Sequence, residues 1–426
     1  MKTKLVIFGI TGDLASRKLL PALSNIIMSD AEDELSIIGV SRRHVEAYQV
    51  LGDYHDNLGR TTSLFTMDVA HPDEYIRLRE YIDPTDDEQL LFYLAVPPES
   101  SVNIVEGLGA AGLNAPNCKL LLEKPFGTDY ASARDMNNHI DRYFSEAQVY
   151  RIDHYLAKEM AQNILTFRGR NALFAHIWNN AVIERIEVIA LESIDIEGRA
   201  HFYEQTGALR DVVQGHLLQL LSLVLLEIPD DLNWERLPER RLQALQQVGL
   251  ADPSQAARGQ YDSYRDEVGN PDSTTETFVS VSLTSHDPRW HGVPLALTTG
   301  KSLDRKKTEI RIHFNKTHDT QSNFLIFRIQ PNEGIEIDLV TKKPGYEHEF
   351  ETRALSFEYP VDERLPDAYE QVLVDAIASR KSLFASSSEV LRAWEIIAPL
   401  QQAWQGNATD LRYYAPGAKA RSIIEN

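Results

Sequence analysis

Nine residues in the middle of the chain, Arg151-Ile152-Asp153-His154-Tyr155-Leu156-Ala157-Lys158-Glu159, set a carboxylate, an imidazole, a phenol and an ammonium close together. That mixture suits a site that holds an anion and orients a base. His154 and Lys158 stand at i and i+4, so a helix here would put both on one face, where two cationic donors can grip a phosphate. A solvated, charged helix start would have the same composition. A second candidate is His216, inside the run Gly207 to Leu226. Leucine and valine nearly encircle that run after Leu217, which predicts a buried helix. Asp211, Gln214, His216 and Gln219 interrupt its start. Buried polar groups must be partnered or each costs about 1–3 kcal/mol. His216 is therefore either a satisfied core residue or a general base, a task that an ordinary imidazole pKa of about 6.5 suits. A base needs an orienting carboxylate. Asp153 is the first candidate and Asp211 the second.

A third group of residues points to a nucleotide. The apolar run Lys4 to Phe8 ends at Gly9-Ile10-Thr11-Gly12-Asp13-Leu14-Ala15, and a helical pattern follows from about Ser16 to Met28. Glycine after a strand lets the backbone approach a pyrophosphate, whose charge the helix N-terminus favours. The spacing is G-x-x-G rather than G-x-G-x-x-G, and a simple strand-to-helix turn also uses glycine. The next apolar run, Leu35 to Val40, ends in Ser41-Arg42-Arg43. An NAD site usually carries an acid there for the ribose diol. Two guanidiniums instead favour the extra phosphate of NADP, unless they are merely exposed loop residues.

These residues need a scaffold, and the chain is long enough for two or three domains: 426 residues, 43% apolar and 25% charged. Short apolar runs alternate with helical stretches over the first 150 or so residues: Leu90 to Val96, a helix over 102–111, then Lys119 to Glu123. This predicts an α/β, Rossmann-like N-terminal domain. Beyond about residue 180, period-two alternation takes over, at Ile186/Val188/Ala190, Val279/Val281/Leu283, Ile310/Ile312/Phe314 and Ile335/Ile337/Leu339. That pattern predicts an α+β C-terminal domain with a large, mainly antiparallel sheet. We place the boundary between residues 153 and 154, with 154–426 as the substrate-binding and oligomerisation domain. Helices are expected at Asp367 to Ser379 and Ser388 to Gln405, and a long loop over 251–275. The formal net charge of −20 disfavours nucleic acid and anionic membranes as partners, so an anionic substrate must be held by local cations. The single cysteine, Cys118, excludes an intrachain disulfide and reads as a small core residue. No signal peptide is recognisable and the run Leu5 to Ile10 is too short to span a bilayer, so a cytoplasmic location is expected.

Taken in order, Gly9 to Ala15, Glu123-Lys124-Pro125-Phe126-Gly127 and Arg151 to Glu159 resemble glucose-6-phosphate dehydrogenases. The likeness continues through Arg210 to His216, Ser273 to Phe278, Gly300-Lys301, Gln330 to Glu333 and Asp367 to Glu370, nearly the whole chain. It implies oxidation of glucose 6-phosphate at C1 to 6-phosphogluconolactone, with hydride transfer to NADP. It implies His216 as base and Asp153 as its orienting carboxylate. His154, Tyr155 and Lys158 would grip the 6-phosphate, and Lys124, Glu192, Asp211, Lys301 and Lys306 would contact the sugar or its phosphate. Gly9, Thr11, Gly12, Asp13, Leu14, Arg42, Arg43 and Lys124 would serve the cofactor. The resemblance further implies a cis bond before Pro125, no metal, and a homodimer or dimer of dimers through the second sheet. The chain departs from the family pattern at Ile10 and Ala157, each usually glycine, at Gly215, usually asparagine, and at Thr298, often arginine. Those changes keep open a related sugar 6-phosphate as substrate, or a catalytically silent paralogue.

Overall fold

A computed structural model describes residues 2–29, 34–228, 233–317, 322–360 and 363–425. The chain forms two compact units. The first comprises Met1–Ala157 and Pro366–Val390, the second Lys158–Leu365 and Leu391–Asn426. The first stretch thus runs four residues past the expected boundary, and a segment from far along the chain joins it.

The first unit is built on β1 (Lys2–Phe8), β2 (Leu35–Ser41), β3 (Thr62–Thr66), β4 (Glu88–Leu94), β5 (Cys118–Leu122) and β6 (Val149–Ile152). They pair in parallel in the order β6-β5-β4-β1-β2-β3. The central strands carry unbroken apolar runs, Leu5–Phe8 in β1 and Leu90–Leu94 in β4, as strands covered on both faces do, and β4 is buried along its whole length. The strand order reverses between β1 and β4, and a ligand crevice forms at the carboxyl ends of strands where this happens. Cys118 is buried at the start of β5, and burial pushes its thiol up to about 11, so it is an inert core thiol.

The returning segment closes the open edge of this sheet. Phe384–Ala385 pairs antiparallel with β6, and helix Ala368–Ile377 buries Val372, Leu373 and Ala376 in the same core. Lys119 on β5 donates to Gln89 Oε1 at 2.7 Å, to Ser379 Oγ at 2.7 Å and to the carbonyl of Ala376 at 2.5 Å. It therefore ties the end of that helix to the sheet. Burial and the nearby Lys381 push the Lys119 ammonium down to about 8.

The second unit holds a nine-stranded sheet among the described residues. In chain order its strands are β7 (Ile183–Leu191), β8 (Ala256–Tyr261), β9 (Phe278–Leu283), β10 (Leu295–Gly300), β11 (Lys307–Phe314), β12 (Phe324–Gln330), β13 (Gly334–Lys342), β14 (Phe350–Glu358) and Leu411–Tyr414. Pairing is mainly antiparallel. The exceptions are β7 with β10 and β8 with Leu411–Tyr414, both parallel. The alternation read from the sequence matches burial: Ile186, Val188 and Ala190 are buried while Glu187 and Ile189 are half-covered. The expected buried helix packs against this sheet. It runs from Ala200 to Leu225, with a kink at Gly207 (φ 60°) and wide π-type turns over Leu209–Leu217. It is long and apolar enough to cross a membrane by composition, but 83% of its most apolar window is buried in the protein. The stretch 251–275 is not a long loop. It contains β8 and helix Tyr264–Val268, and the following turn is organised by Glu204, which accepts from Tyr264 Oη, Ser273 Oγ and Asn270 Nδ2 at 2.8–2.9 Å. Short elements held by a distant carboxylate leave no periodic signal.

Candidate active site

The glycine turn lies at the switch point of the first unit. Gly9 takes φ +86°, and a Cβ there would sit 2.3 Å from the carbonyl oxygen of Ala95, just beyond β4. Ala95 N–H in turn donates to Phe8 O at 3.0 Å. Only glycine fits a left-handed turn pressed against a neighbouring strand. Beside it opens a cavity of about 430 Å³, with Gly9, Thr11, Gly12, Ser41, Arg42 and Ser100 among its lining residues. Arg42 is exposed at the end of β2, where a cation can meet a phosphate. Four expected cofactor residues do not line the cavity: Asp13, Leu14, Arg43 and Lys124. Asp13 pairs with Arg17 at 2.7 Å on the surface, and Leu14 packs on the core. Ile10 is buried and fills the space over Gly39, where a Cβ would meet its side chain at 2.9 Å. The replaced family glycine has thus become a core contact.

The block Arg151 to Glu159 is not one helix, which corrects the i, i+4 reading of His154 and Lys158. Arg151 and Ile152 finish β6, residues 154–157 form turns, and the helix Glu159–Arg170 begins only after Lys158. The physical reason is local competition. The buried Asp153 carboxylate accepts from the Tyr155 N–H at 3.0 Å, and its carbonyl accepts from Leu156 N–H at 3.0 Å. Arg151 is wholly buried on Glu146 (2.9 Å) and Asn137 (2.9 Å), so its role is structural. His154 packs its ring 4.8 Å from that of Tyr155 and stacks at 6.3 Å, 13° between planes, on Tyr369 from the returning segment. Tyr369 is a residue the local motif could not supply. Lys124 and Glu123 follow β5, and the Lys124–Pro125 peptide is cis. Tyr93 donates to Glu123 at 2.5 Å. Burial, with a smaller push from Asp153, raises the Glu123 carboxyl to about 7, against the opposing pull of Tyr93 and Lys124.

The second unit gathers its own polar group. Lys301, directly after β10, is 3% exposed and forms an ion pair with Glu192, directly after β7. β7 and β10 are parallel neighbours, which brings both residues to the same edge. The Lys301 ammonium lies 5.4 Å from the centre of the Tyr203 ring. Burial, and next the charge of Asp211, push the Tyr203 phenol well above its ordinary value. Asp211 and the buried His216 both lie in the wide turns of Leu209–Leu217, a local geometry often found at functional sites. Tyr203 has no counterpart in the motif reading, since its place depends on the kink at Gly207. Lys306 is exposed just before β11, and no contact joins it to Lys301 or Glu192 among the described residues. Thr298 bonds Ser280 Oγ at 3.0 Å across β9 and β10, so this departure from the family pattern serves strand pairing.

A parallel sheet with a glycine turn at its switch point, and a second unit that collects a lysine, carboxylates and a buried histidine, define a pyridine-nucleotide oxidoreductase. Two family profiles match consecutive stretches of the chain: "Glucose-6-phosphate dehydrogenase, NAD binding domain" over residues 6–163 and "Glucose-6-phosphate dehydrogenase, C-terminal domain" over residues 165–424. The chain belongs to the glucose-6-phosphate dehydrogenase family. It is 35% identical to the glucose-6-phosphate 1-dehydrogenase of Dickeya dadantii, covering 97% of this chain and 93% of that one. The Borreliella burgdorferi enzyme of the same name is 36% identical, covering 94% and 91%. A solved glucose-6-phosphate dehydrogenase in complex with glucose 6-phosphate superposes with a TM-score of 0.92 at 29% identity, over 98% of this chain and 95% of that one. The Mycobacterium avium glucose-6-phosphate 1-dehydrogenase gives 0.89 at 31% identity, over 99% and 96%.

Proposed function

We propose that this chain oxidises glucose 6-phosphate at C1 to 6-phosphogluconolactone, with NADP as hydride acceptor. The observation that carries this reading is the group formed by Glu192, Lys301, Tyr203 and Asp211 in the second unit, on and beside the helix that bears His216. In this reading His216 takes the proton of the C1 hydroxyl. Asp153 holds the imidazole in the required tautomer and stabilises the imidazolium that forms. His154, Tyr155 and Lys158 grip the 6-phosphate, assisted by Lys124 and Lys306. Glu192, Asp211 and Lys301 orient the sugar, with Lys301 held by its pairing with Glu192.

The first unit fits a dinucleotide: Gly9 and Gly12 line the cavity with bare backbone, and Arg42 adds a guanidinium to its lining. Gly9 and Gly12 would let the pyrophosphate approach the backbone, and Thr11 and Arg42, with Arg43, would hold the 2′-phosphate side, with the turn at Asp13 and Leu14 opening the helix. Bound NADP supplies the hydride acceptor at its nicotinamide C4. The enzyme would work in the cytoplasm, where its one cysteine stays reduced. It would assemble as a homodimer through the second sheet, whose strand β14 exposes Phe350, Leu355 and Phe357.

The test is NADP reduction by the purified protein with a panel of aldose 6-phosphates, compared by kcat/KM. Glucose 6-phosphate should rank first. His216→Asn should lower kcat by about a thousandfold or more while KM changes little. Retained turnover in that variant would remove His216 from the base role.

A further inference from the structure

We infer that Glu276 is a positioning residue for the reaction, fixing the helix that carries Asp211 and His216 relative to the strand end that carries Lys301. The inference rests on the reading of His216 as base. Glu276 is 7% exposed and lies two residues before β9. Its carboxylate oxygen Oε1 accepts from the Leu209 N–H at 3.0 Å, and its carbonyl accepts from the Ala208 N–H at 2.9 Å. The donors are the residue just before the wide-turned stretch Leu209–Leu217 and its first residue. The grip is interlocked with Gly207, whose φ is +60°. A Cβ on Gly207 would stand 2.4 Å from Glu276 Oε1. A side chain at 207 and the carboxylate at 276 would therefore compete for the same space, so Gly207 lets Glu276 reach the helix backbone just after the kink.

The next residue grips the other side. The Thr277 carbonyl accepts from the Lys301 N–H at 2.9 Å. The Thr277 hydroxyl meets Tyr414 Oη at 2.9 Å, and that phenol donates to the Lys301 carbonyl at 2.8 Å. Two adjacent residues thus set the origin of the proposed base and the backbone of the proposed sugar-binding lysine. Neither Glu276 nor Thr277 has a part in the proton-transfer or binding roles above. Burial raises the pKa of the Glu276 carboxyl, opposed by the backbone donors and by Arg210 and Arg258.

A shift of about 1 Å in a base can cost on the order of a hundredfold in rate. The test compares Glu276→Met, which keeps the bulk without an oxygen, with Glu276→Gln, which keeps the acceptor. Both are measured per active site, counted by NADPH binding. Glu276→Met should lower kcat at least about tenfold with KM for glucose 6-phosphate within about threefold, and Glu276→Gln should restore kcat to within about threefold of the parent. Gly207→Ala, with Glu276 intact, should reproduce the loss in kcat. If Glu276→Met only lowers the melting temperature and leaves kcat per site unchanged, or if Gln is as poor as Met, the inference is wrong. His216→Asn separates the two assignments. If it retains turnover, the base reading falls and this inference with it. If it is inactive while Glu276→Met is unimpaired, this inference alone falls.

Discussion

Replacing Glu123 by glutamine should flatten the stability of the protein against pH. Glu123 directly follows β5 and accepts from the Tyr93 hydroxyl at 2.5 Å. Burial, then Asp153, push its carboxyl from the ordinary 4.5 up to about 7, despite the opposing effects of Tyr93 and Lys124. At about 1.4 kcal/mol per tenfold change in acid constant, holding Glu123 ionised in the fold costs up to ~3 kcal/mol. The sign follows from linkage. The folded pKa is raised, so the contribution is fully present below the unfolded pKa of about 4.5 and is lost as pH rises through about 7. Glutamine keeps an acceptor for the Tyr93 hydroxyl and has no charge to bury. The assay is urea unfolding of parent and Glu123→Gln at about pH 5 and about pH 8, followed through a probe in the first unit. The parent should lose ~1–3 kcal/mol more than the variant between these values. If the two curves run parallel, Glu123 is an ordinary carboxylate and the covering of this strand end is weaker than its contacts imply.

Three further outcomes follow from the same geometry. Gly9→Ala forces a Cβ onto the Ala95 carbonyl in a left-handed turn, and should weaken NADPH binding at least about tenfold in a fluorescence titration; unchanged affinity would show that the turn can relax. Arg42→Ala should raise KM for NADP about tenfold or more and leave KM for NAD nearly unchanged; equal effects on both would remove Arg42 from the 2′-phosphate. Phe357→Asp on the exposed face of β14 should shift the molar mass in light scattering from dimer to monomer, whereas an unaltered mass would place self-association elsewhere.

Much of the fold was legible because its signals are local. The strand before Gly9 and the helix after it follow from an apolar run, a glycine and a helical repeat. The burial of Ile186, Val188 and Ala190 follows from alternation, and that of the helix after Leu217 from a surface apolar on every side. His216 could be singled out by its type within an apolar run, whereas Lys301 and Glu192 came only with the family resemblance. The non-helical path of Arg151 to Glu159 was not legible, because composition does not reveal whether the Asp153 carboxylate will accept from the Tyr155 N–H.

Other features depend on partners far away in the chain. Tyr369 stacks on His154 because Lys119 holds the end of its helix to β5, more than 250 residues distant. Tyr203 underlies Lys301 because Gly207 turns the chain against Glu276. Glu123 has its raised pKa because β4, β5 and β6 end side by side. Periodicity and composition specify which faces must leave water, since that preference belongs to each residue and its near neighbours. They do not specify which buried group meets which, because burial and Coulomb interactions act through space once the chain has closed on itself.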